Sequence, residues 1–225
     1  VDLLKVTNTH EVYRKLHEQL GPQEWWPGES AWEVMIGAVL VQNTAWKNVE
    51  RAIANLREAD LVCPRQLAKL SSAELAELIK PAGYYRLKAK RLQNLMRFVV
   101  DEYDSSLEVM KAADTQHMRE QLLAVKGVGP ETADSILLYA LEKPALVVDT
   151  YTHRIFARHG WIDYGADYHQ LQEHLASELP ADVEIYNEMH ALLVHVGHHY
   201  CRRQPKCDEC PLLEMLPAGG IVAPE

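Results

Sequence analysis

The sequence predicts an all-α protein. Apolar residues recur at helical spacing in nearly every long segment, and no stretch alternates apolar and polar residues for long enough to indicate a sheet. The chain has 225 residues, of which 48% are hydrophobic, so it can bury a substantial core as one large domain or two smaller ones. Short turns that carry Pro, Gly, Asn or Asp separate several of the predicted helices.

The individual helices follow from their caps and apolar faces. The first is predicted over 9–20 and ends at Gly21-Pro22. Ser30 then caps a helix that continues through AWEVMIGAVLVQNT, whose apolar residues cover most of the circumference, so this helix should be central and buried. Further helices are predicted over 45–58, 71–80, 86–102, 106–112, 115–124, 130–141, 150–158, 168–178 and 182–197.

The charge of the chain gives mixed indications about its partners. A net charge of −9 argues mildly against nucleic acid, since neutralisation of phosphates supplies most non-specific affinity. The segment from Lys80 to Phe98 nevertheless carries basic residues and no acidic one; the basic residues are Lys80, Arg86, Lys88, Lys90, Arg91 and Arg97. Considered alone, this basic strip is best interpreted as a solvated helix face.

Targeting segments are not expected. No charged start precedes an apolar core and cleavage site, and no apolar run approaches about 18 residues, so we expect neither a secretion signal nor a membrane span. A cytoplasmic location is then the default expectation.

The most informative stretch runs from Leu122 to Thr150. A helix ends at Lys126, the turn Gly127-Val128-Gly129 follows, and Pro130 begins a second helix. Glycines allow positive φ and let a phosphate approach the backbone, and the exposed N–H groups of the new helix form an anion site. Such a hairpin binds the phosphate backbone of DNA and makes no sequence-specific contacts. The alternative is a plain helical hairpin with a glycine cap.

Asp149 lies 20 residues beyond Gly129, after an apolar run and just before a helix. Alone it would be interpreted as a helix cap. Together with the hairpin it resembles the helix-hairpin-helix (HhH-GPD) DNA glycosylases of the endonuclease III superfamily, in which a catalytic aspartate follows a Gly-rich hairpin at about this distance. By that resemblance Asp149 stabilises the positive charge that develops on the sugar as a damaged base departs, and orients or deprotonates water.

The resemblance covers essentially the whole chain and implies two helical lobes. One is a six-helix barrel over 24–140 that includes the hairpin, and the other joins 1–23 to 141–225. The implied partner is double-stranded DNA with a damaged base, lying across the cleft, and the protein is expected to be a monomer.

Glu131 bears on whether the enzyme also cuts the strand. Bifunctional members place a nucleophilic lysine two residues after the second hairpin glycine, and here Glu131 occupies that position. Because a carboxylate cannot form a Schiff base, we predict a monofunctional glycosylase that leaves an abasic site. Lys126, at the other end of the hairpin, is better placed to meet a phosphate.

Two segments resemble the parts of the family that fill the hole left by a flipped base. Gln42, in the segment Val41–Thr44, matches the glutamine that enters the vacated stack. Tyr84, in Gly83-Tyr84-Tyr85, matches the second wedge on the opposite strand. Either segment could instead be an ordinary helix end and turn.

The tryptophans indicate which base is excised. Bacterial 3-methyladenine DNA glycosylases of this superfamily carry a WWP segment and an aromatic residue after the QNT turn. Here Trp25 and Trp26 match the WWP segment, and Trp46 matches the aromatic residue. An electron-poor alkylated purine stacks well between such rings. The alternative is that they are core residues.

Three of the four cysteines lie between positions 201 and 210, which in a reducing compartment favours a metal site over disulfides. Cys201, Cys207 and Cys210 resemble the iron–sulfur loop of endonuclease III, but Leu216 stands where its fourth cysteine is expected. A [4Fe–4S] cluster normally has four thiolates, so a cluster with one non-cysteine ligand, zinc, or no metal all remain open.

Two rival interpretations each explain part of these sequence features. One is an endonuclease III-like glycosylase for oxidised pyrimidines or mispaired bases, which would share Asp149 but have a different pocket. The other is a non-catalytic helix-hairpin-helix protein that binds DNA only.

Overall fold

The computed structural model describes residues 8–23, 25 and 28–224, and every regular element in these ranges is helical. The predicted all-α class is confirmed. The α-helices are α1 (Thr9–Leu20), α2 (Ala31–Leu40), α3 (Trp46–Glu58), α4 (Pro64–Lys69), α5 (Ser72–Leu78), α6 (Tyr85–Tyr103), α7 (Leu107–Ala112), α8 (Thr115–Ala124), α9 (Pro130–Ser135), α10 (Thr150–Arg158), α11 (Tyr168–Ala176) and α12 (Val183–His199).

The chain divides into two compact units. One comprises Trp26–Ala145 and contains α2 to α9; the other joins Val1–Trp25 to Leu146–Glu225 and contains α1 and α10 to α12. Within the described residues, no helix combines the length and the apolar character needed to cross a membrane.

Helix α2 forms the centre of the unit Trp26–Ala145. The Ser30 side chain accepts a hydrogen bond from the Glu33 amide at the start of the helix, and every residue from Glu33 to Leu40 is buried. The helix ends at Leu40, so the prediction that it continues through the QNT segment is wrong. Asn43 has a φ of 52°, and a residue in the left-handed region cannot continue an α-helix.

Two further elements of this unit differ from the predictions. Helix α4 was not predicted because its six residues follow Cys63, which makes no capping hydrogen bond, although Pro64 and Leu67 are buried. The equally short α7 was predicted, and its N-cap Ser106 accepts a hydrogen bond from the Val109 amide. After α9 the chain continues as a π-helical turn, Ile136–Ala140, whose five residues are all buried. The apolar run therefore predicted helical structure correctly but not its change of pitch.

The second unit is held by close contact between α10 and α12. Gly197 makes this contact possible, because a Cβ added there would lie 2.5 Å from the Cβ of Tyr151. Helix α1 also packs on α12. The arrangement fixes the start of α10, where Asp149 lies.

Candidate active site

Asp149 is the N-cap of α10. Its Oδ1 accepts hydrogen bonds from the Thr152 amide at 2.8 Å and from the Thr152 hydroxyl at 2.9 Å. The capping interpretation is therefore correct for one carboxylate oxygen. The side chain is only 13% exposed, and Leu146, Val147 and Val148 before it are buried. The buried segment before it and the cap together hold the Asp149 side chain in a fixed orientation.

The second oxygen of Asp149 faces a histidine that sequence reasoning missed. Oδ2 lies 4.0 Å from Nε2 of His190, a buried residue of α12. Burial lowers the pKa of His190, and the charge of Asp149 opposes that shift. The ring of Trp25 lies 5.2 Å from the His190 ring, centroid to centroid. No local pattern links His190 to Asp149, since they are 41 positions apart in the chain.

The turn between α8 and α9 contains two glycines in different surroundings. Gly127 has a φ of 103°, and an added Cβ would overlap the side chain of Arg91. Gly129 is the N-cap of α9, with open space where its Cβ would be. Lys126 is exposed beside the turn.

The two helices of the hairpin are joined by a buried ion pair. Arg119 on α8 makes a bidentate contact with Asp134 on α9, with Nε 2.7 Å from Oδ1 and Nη2 3.0 Å from Oδ2. Asp134 is fully buried. Glu131 is exposed on the first turn of α9, so a longer side chain fits at its position without disturbing the core.

Gln42 is tied to the hairpin. Its Nε2 donates to the Gly127 carbonyl at 3.1 Å and to the Thr132 hydroxyl at 2.9 Å. Its Oε1 accepts a hydrogen bond from Arg91 on α6. The structure therefore brings Gln42 together with the Gly127–Gly129 turn, a relationship that the sequence alone did not indicate.

Tyr84 is strongly exposed, at 71%, and has a φ of 45° as the residue before α6. Gly83 before it also has positive φ. The carbonyl of Ala82 accepts a hydrogen bond of 2.6 Å from the Thr44 hydroxyl, which joins this turn to the one that carries Gln42. An exposed aromatic ring on strained backbone is a candidate wedge.

The basic strip is not uniformly solvated. Lys80, Arg86, Lys90 and Arg97 are exposed, as expected. Lys88 is buried, so the interpretation of the strip as a solvated face is wrong at this position. A helix that presents one face to the core buries whichever residue falls on it, and spacing in a short basic run does not reveal that position.

Trp46 lines an open cleft of about 570 Å³ in the unit Trp26–Ala145. The other lining residues belong to α3, to the first turn of α2 and to the segment just before α2; they are Gly28, Glu29, Glu33, Glu50, Ile53 and Arg57. The Trp46 ring lies against Gly37, where an added Cβ would be 3.2 Å from Cη2. Arg57 on the wall pairs with Glu33 in a bidentate contact, which lowers the pKa of Glu33. Trp26 lies outside the described residues, so its predicted role stays a prediction.

The cysteine loop contains three thiols, one fewer than the four that normally hold a [4Fe–4S] cluster. Cys201, Cys207 and Cys210 line a small cavity with Leu212, Leu213 and Leu216. Burial raises the pKa of Cys207 and of Cys210, which favours the protonated thiol. Across the described ranges, no three His, Cys, Asp or Glu side chains are arranged to hold a metal ion. These residues do not fit a cluster with four thiolates.

The predicted site residues fall into three groups. Asp149 and Trp25 lie together with His190 in the unit that contains α10 to α12. Gln42 and the hairpin glycines lie together in the other unit, near the turn of Tyr84. The three cysteines form a separate loop after α12.

Comparison with known proteins gives a consistent result. Residues 36–181 match the HhH-GPD superfamily, described as base excision DNA repair proteins. A protein of Methanocaldococcus jannaschii, provisionally named a DNA repair glycosylase, is 48% identical over 206 residues, which are 91% of this chain and 94% of that protein. Endonuclease III of Thermotoga maritima is 36% identical over 178 residues, covering 79% of this chain and 78% of that protein. The crystal structure of the H. pylori 3-methyladenine DNA glycosylase bound to 1,N6-ethenoadenine has a TM-score of 0.75 at 27% identity, over 85% of this chain and 98% of that one.

Proposed function

Because the chain belongs to the HhH-GPD superfamily of base excision DNA repair proteins, we propose that it is a monofunctional DNA glycosylase for N-alkylated purines such as 3-methyladenine. It would hydrolyse the bond between the damaged base and deoxyribose and leave an abasic site. Membership of the family makes DNA the substrate and glycosylase chemistry the reaction. The choice of lesion and the absence of strand cleavage are the proposed parts.

The observation that carries the proposal is the geometry of Asp149. One carboxylate oxygen is fixed by Thr152, and the other faces His190. A carboxylate held in one orientation can stabilise a developing positive charge on the sugar without first reorganising. The oxygen that faces His190 can also orient or deprotonate the attacking water.

Glu131 supports the monofunctional part of the proposal. It lies on the first turn of α9, and by the family resemblance it matches the position of the lysine nucleophile in bifunctional members. A carboxylate cannot form the imine with the sugar that precedes strand cleavage. Water is then the nucleophile, and the product is an intact strand with an abasic site.

The cleft of Trp46 supports an aromatic, cationic substrate. Trp46 offers an indole face to the cleft. The lining also includes three carboxylates, from Glu29, Glu33 and Glu50, and one cationic side chain, that of Arg57, so negative charge is in excess. A purine alkylated on a ring nitrogen carries positive charge, so stacking on indole and attraction to carboxylates favour it over a normal base. The relative from H. pylori, bound to 1,N6-ethenoadenine, is a 3-methyladenine DNA glycosylase.

The test is base release from methylated duplex DNA, with strand nicks scored before and after alkali. Release of 3-methyladenine with nicks that appear only after alkali is the expected result. Nicks without alkali would contradict the monofunctional part, since they require a lyase nucleophile. Asp149→Asn serves as the inactive control in the same assay.

A second candidate is excision of oxidised pyrimidines, favoured by the likeness to endonuclease III of Thermotoga maritima. It would use Asp149 in the same way but a different base pocket. A duplex with thymine glycol distinguishes the two. Release of thymine glycol without release of 3-methyladenine would replace the alkylpurine proposal.

A further inference from the structure

Helix α6 supports three segments through one row of side chains. Lys88, Arg91 and Asn94 lie on successive turns, and each donates to a different part of the same unit. Arg91 donates to the side chain of Gln42, and Asn94 Nδ2 donates to the Lys126 carbonyl at 2.9 Å. The row therefore contacts the turn after α2, the turn before α6 and the hairpin.

Lys88 is the buried member of this row. Its side chain is 1% exposed, and Nζ donates to the carbonyls of Leu40 and Ala82, at 2.7 Å each. Burial lowers the pKa of Lys88 to about 8, and the nearby charge of Arg91 contributes. Because a buried ammonium is costly without hydrogen bonds, these two carbonyls hold Nζ in one place.

The two carbonyls adjoin the two turns that are candidates for insertion into DNA. Leu40 ends α2, where the last carbonyls lack helical partners, and the turn of Gln42 and Asn43 follows directly. Ala82 precedes Gly83 and Tyr84. One ammonium group therefore spans the distance between both turns.

The backbone on each side of this link is strained. Asn43 and Tyr84 have φ values of 52° and 45°, in the left-handed region that non-glycine residues rarely adopt. Such conformations cost free energy and persist only where their surroundings enforce them. The Thr44 hydroxyl reinforces the link through its own bond to the Ala82 carbonyl.

We propose that Lys88 is a positioning residue that fixes the separation between the turn of Gln42 and the turn of Tyr84, so that both enter the duplex together. This rests on the proposed function and on the family resemblance, which implies that the two turns fill the space left by a flipped nucleotide. A fixed separation lowers the ordering cost of insertion, because neither turn has to find its position after DNA binds.

Lys143 provides a matched control for loss of a buried lysine. It is 7% exposed in the same unit, and its Nζ donates to the carbonyls of Lys111 and Ala113 at 2.8 and 2.5 Å. It therefore shares with Lys88 a pair of bonds to backbone carbonyls but supports neither insertion turn. Lys88→Met and Lys143→Met remove the same chemistry from two places.

The experiment measures insertion without base release. A duplex with a tetrahydrofuran abasic-site analogue carries 2-aminopurine as the opposite base, whose fluorescence rises when side chains displace it from the stack. Binding to the same duplex is followed separately by anisotropy of an end label. With protein in saturating excess, we expect insertion by Lys88→Met to be about tenfold slower than by Lys143→Met, as for loss of a charge-assisted bond. Anisotropy should show both variants fully bound.

Equal insertion rates for the two variants would overturn the proposal. If Lys88→Met does not remain folded, Lys88→Gln replaces it and is compared with Lys143→Gln, since the shorter amide cannot reach both carbonyls from the position of Nζ. Insertion by Lys88→Gln is expected to be roughly threefold slower than by Lys143→Gln, and equal rates would overturn the proposal. Because no base is released, an error in the assigned lesion leaves this test unaffected. A wild-type protein that binds this duplex without any fluorescence change would overturn the insertion step and, with it, the role of Lys88.

Discussion

Asp149 and His190 face each other within one compact unit, with the carboxylate Oδ2 4.0 Å from the imidazole Nε2. The other oxygen, Oδ1, caps α10 through Thr152. One carboxylate oxygen therefore has a structural role in the cap, and the other is available for chemistry. Substitutions can separate the two, because an amide retains an oxygen for the cap but loses the charge.

Asp149→Asn should abolish base release while the protein stays folded and binds DNA. The amide oxygen can still accept from the Thr152 amide, but the negative charge that the proposed mechanism places beside the sugar is lost. We expect single-turnover release to fall by about 10²–10⁴-fold. Asp167→Asn is the matched control, since Asp167 caps α11 in the same manner and in the same unit. Comparable losses in both variants would show that capping, not chemistry, is the role of Asp149.

His190 should make the unfolding free energy sensitive to mild acid. Burial lowers its pKa below the usual 6.5, so as pH falls through 6.5 the unfolded chain takes up a proton that the folded protein resists. Stability from this residue is therefore present above pH 6.5 and lost at lower pH. Denaturant unfolding from about pH 7.5 to 5.5 should show a steeper loss for wild type than for His190→Asn. His117→Asn, at an exposed position, should follow wild type, and parallel curves for wild type and His190→Asn would contradict the assignment.

Trp46→Leu should slow release of an alkylated purine without weakening binding to undamaged DNA. Stacking of a base on an aromatic ring contributes about 1–3 kcal/mol, so a loss of roughly tenfold or more in single-turnover release is expected. Trp161→Leu is the control, because Trp161 is buried in the other unit against His159. It should lower the melting temperature but leave release by the folded protein unchanged. Unchanged release by Trp46→Leu would remove the cleft from the base pocket.

The features predicted from the sequence are those encoded locally. The hairpin and Asp149 lie within one short stretch, and the burial of α2 follows from its nearly continuous apolar residues. Helix α4 was missed because it is short and its N-cap, Cys63, offers no capping side chain, whereas the equally short α7 is marked by Ser106.

The features that sequence reasoning missed depend on contacts between distant segments. Lys88 donates to Leu40, 48 positions away, and in the sequence it is indistinguishable from its exposed neighbour Lys90. His190 meets Asp149 where α12 packs on α10, and Gly197 permits the close approach of these two helices. A buried partner for a polar residue is a property of the packed helices, and periodicity alone does not reveal it.

Glu131→Lys should introduce strand cleavage. The residue is exposed on the first turn of α9, so a lysine fits there without a packing cost. An amine at this position can attack the sugar and form an imine, which borohydride reduces to a stable protein–DNA conjugate. Glu131→Gln is the control and should give no conjugate. Trapping of the wild-type protein at the level of Glu131→Lys would mean that another amine already acts as nucleophile.

The two hairpin glycines should respond differently to alanine. Gly127 has a φ of 103°, and its new Cβ would overlap Arg91, so Gly127→Ala combines backbone strain with a steric clash. We expect a loss of about 2–4 kcal/mol in the free energy of unfolding and a matching fall in melting temperature. Gly129 has an ordinary φ of −100° and open space around its Cβ position, so Gly129→Ala should fold as well as wild type.

Gly129→Ala should nevertheless bind DNA more weakly, because the added methyl group occupies the space through which a phosphate would approach the N–H groups of α9. We expect affinity for undamaged duplex to fall by about tenfold, since a displaced phosphate loses one or more charge-assisted hydrogen bonds. Anisotropy titrations at a fixed salt concentration measure this change, and melting curves of the same samples measure folding. Full affinity in a folded Gly129→Ala protein would place the DNA backbone elsewhere and leave the hairpin a structural turn.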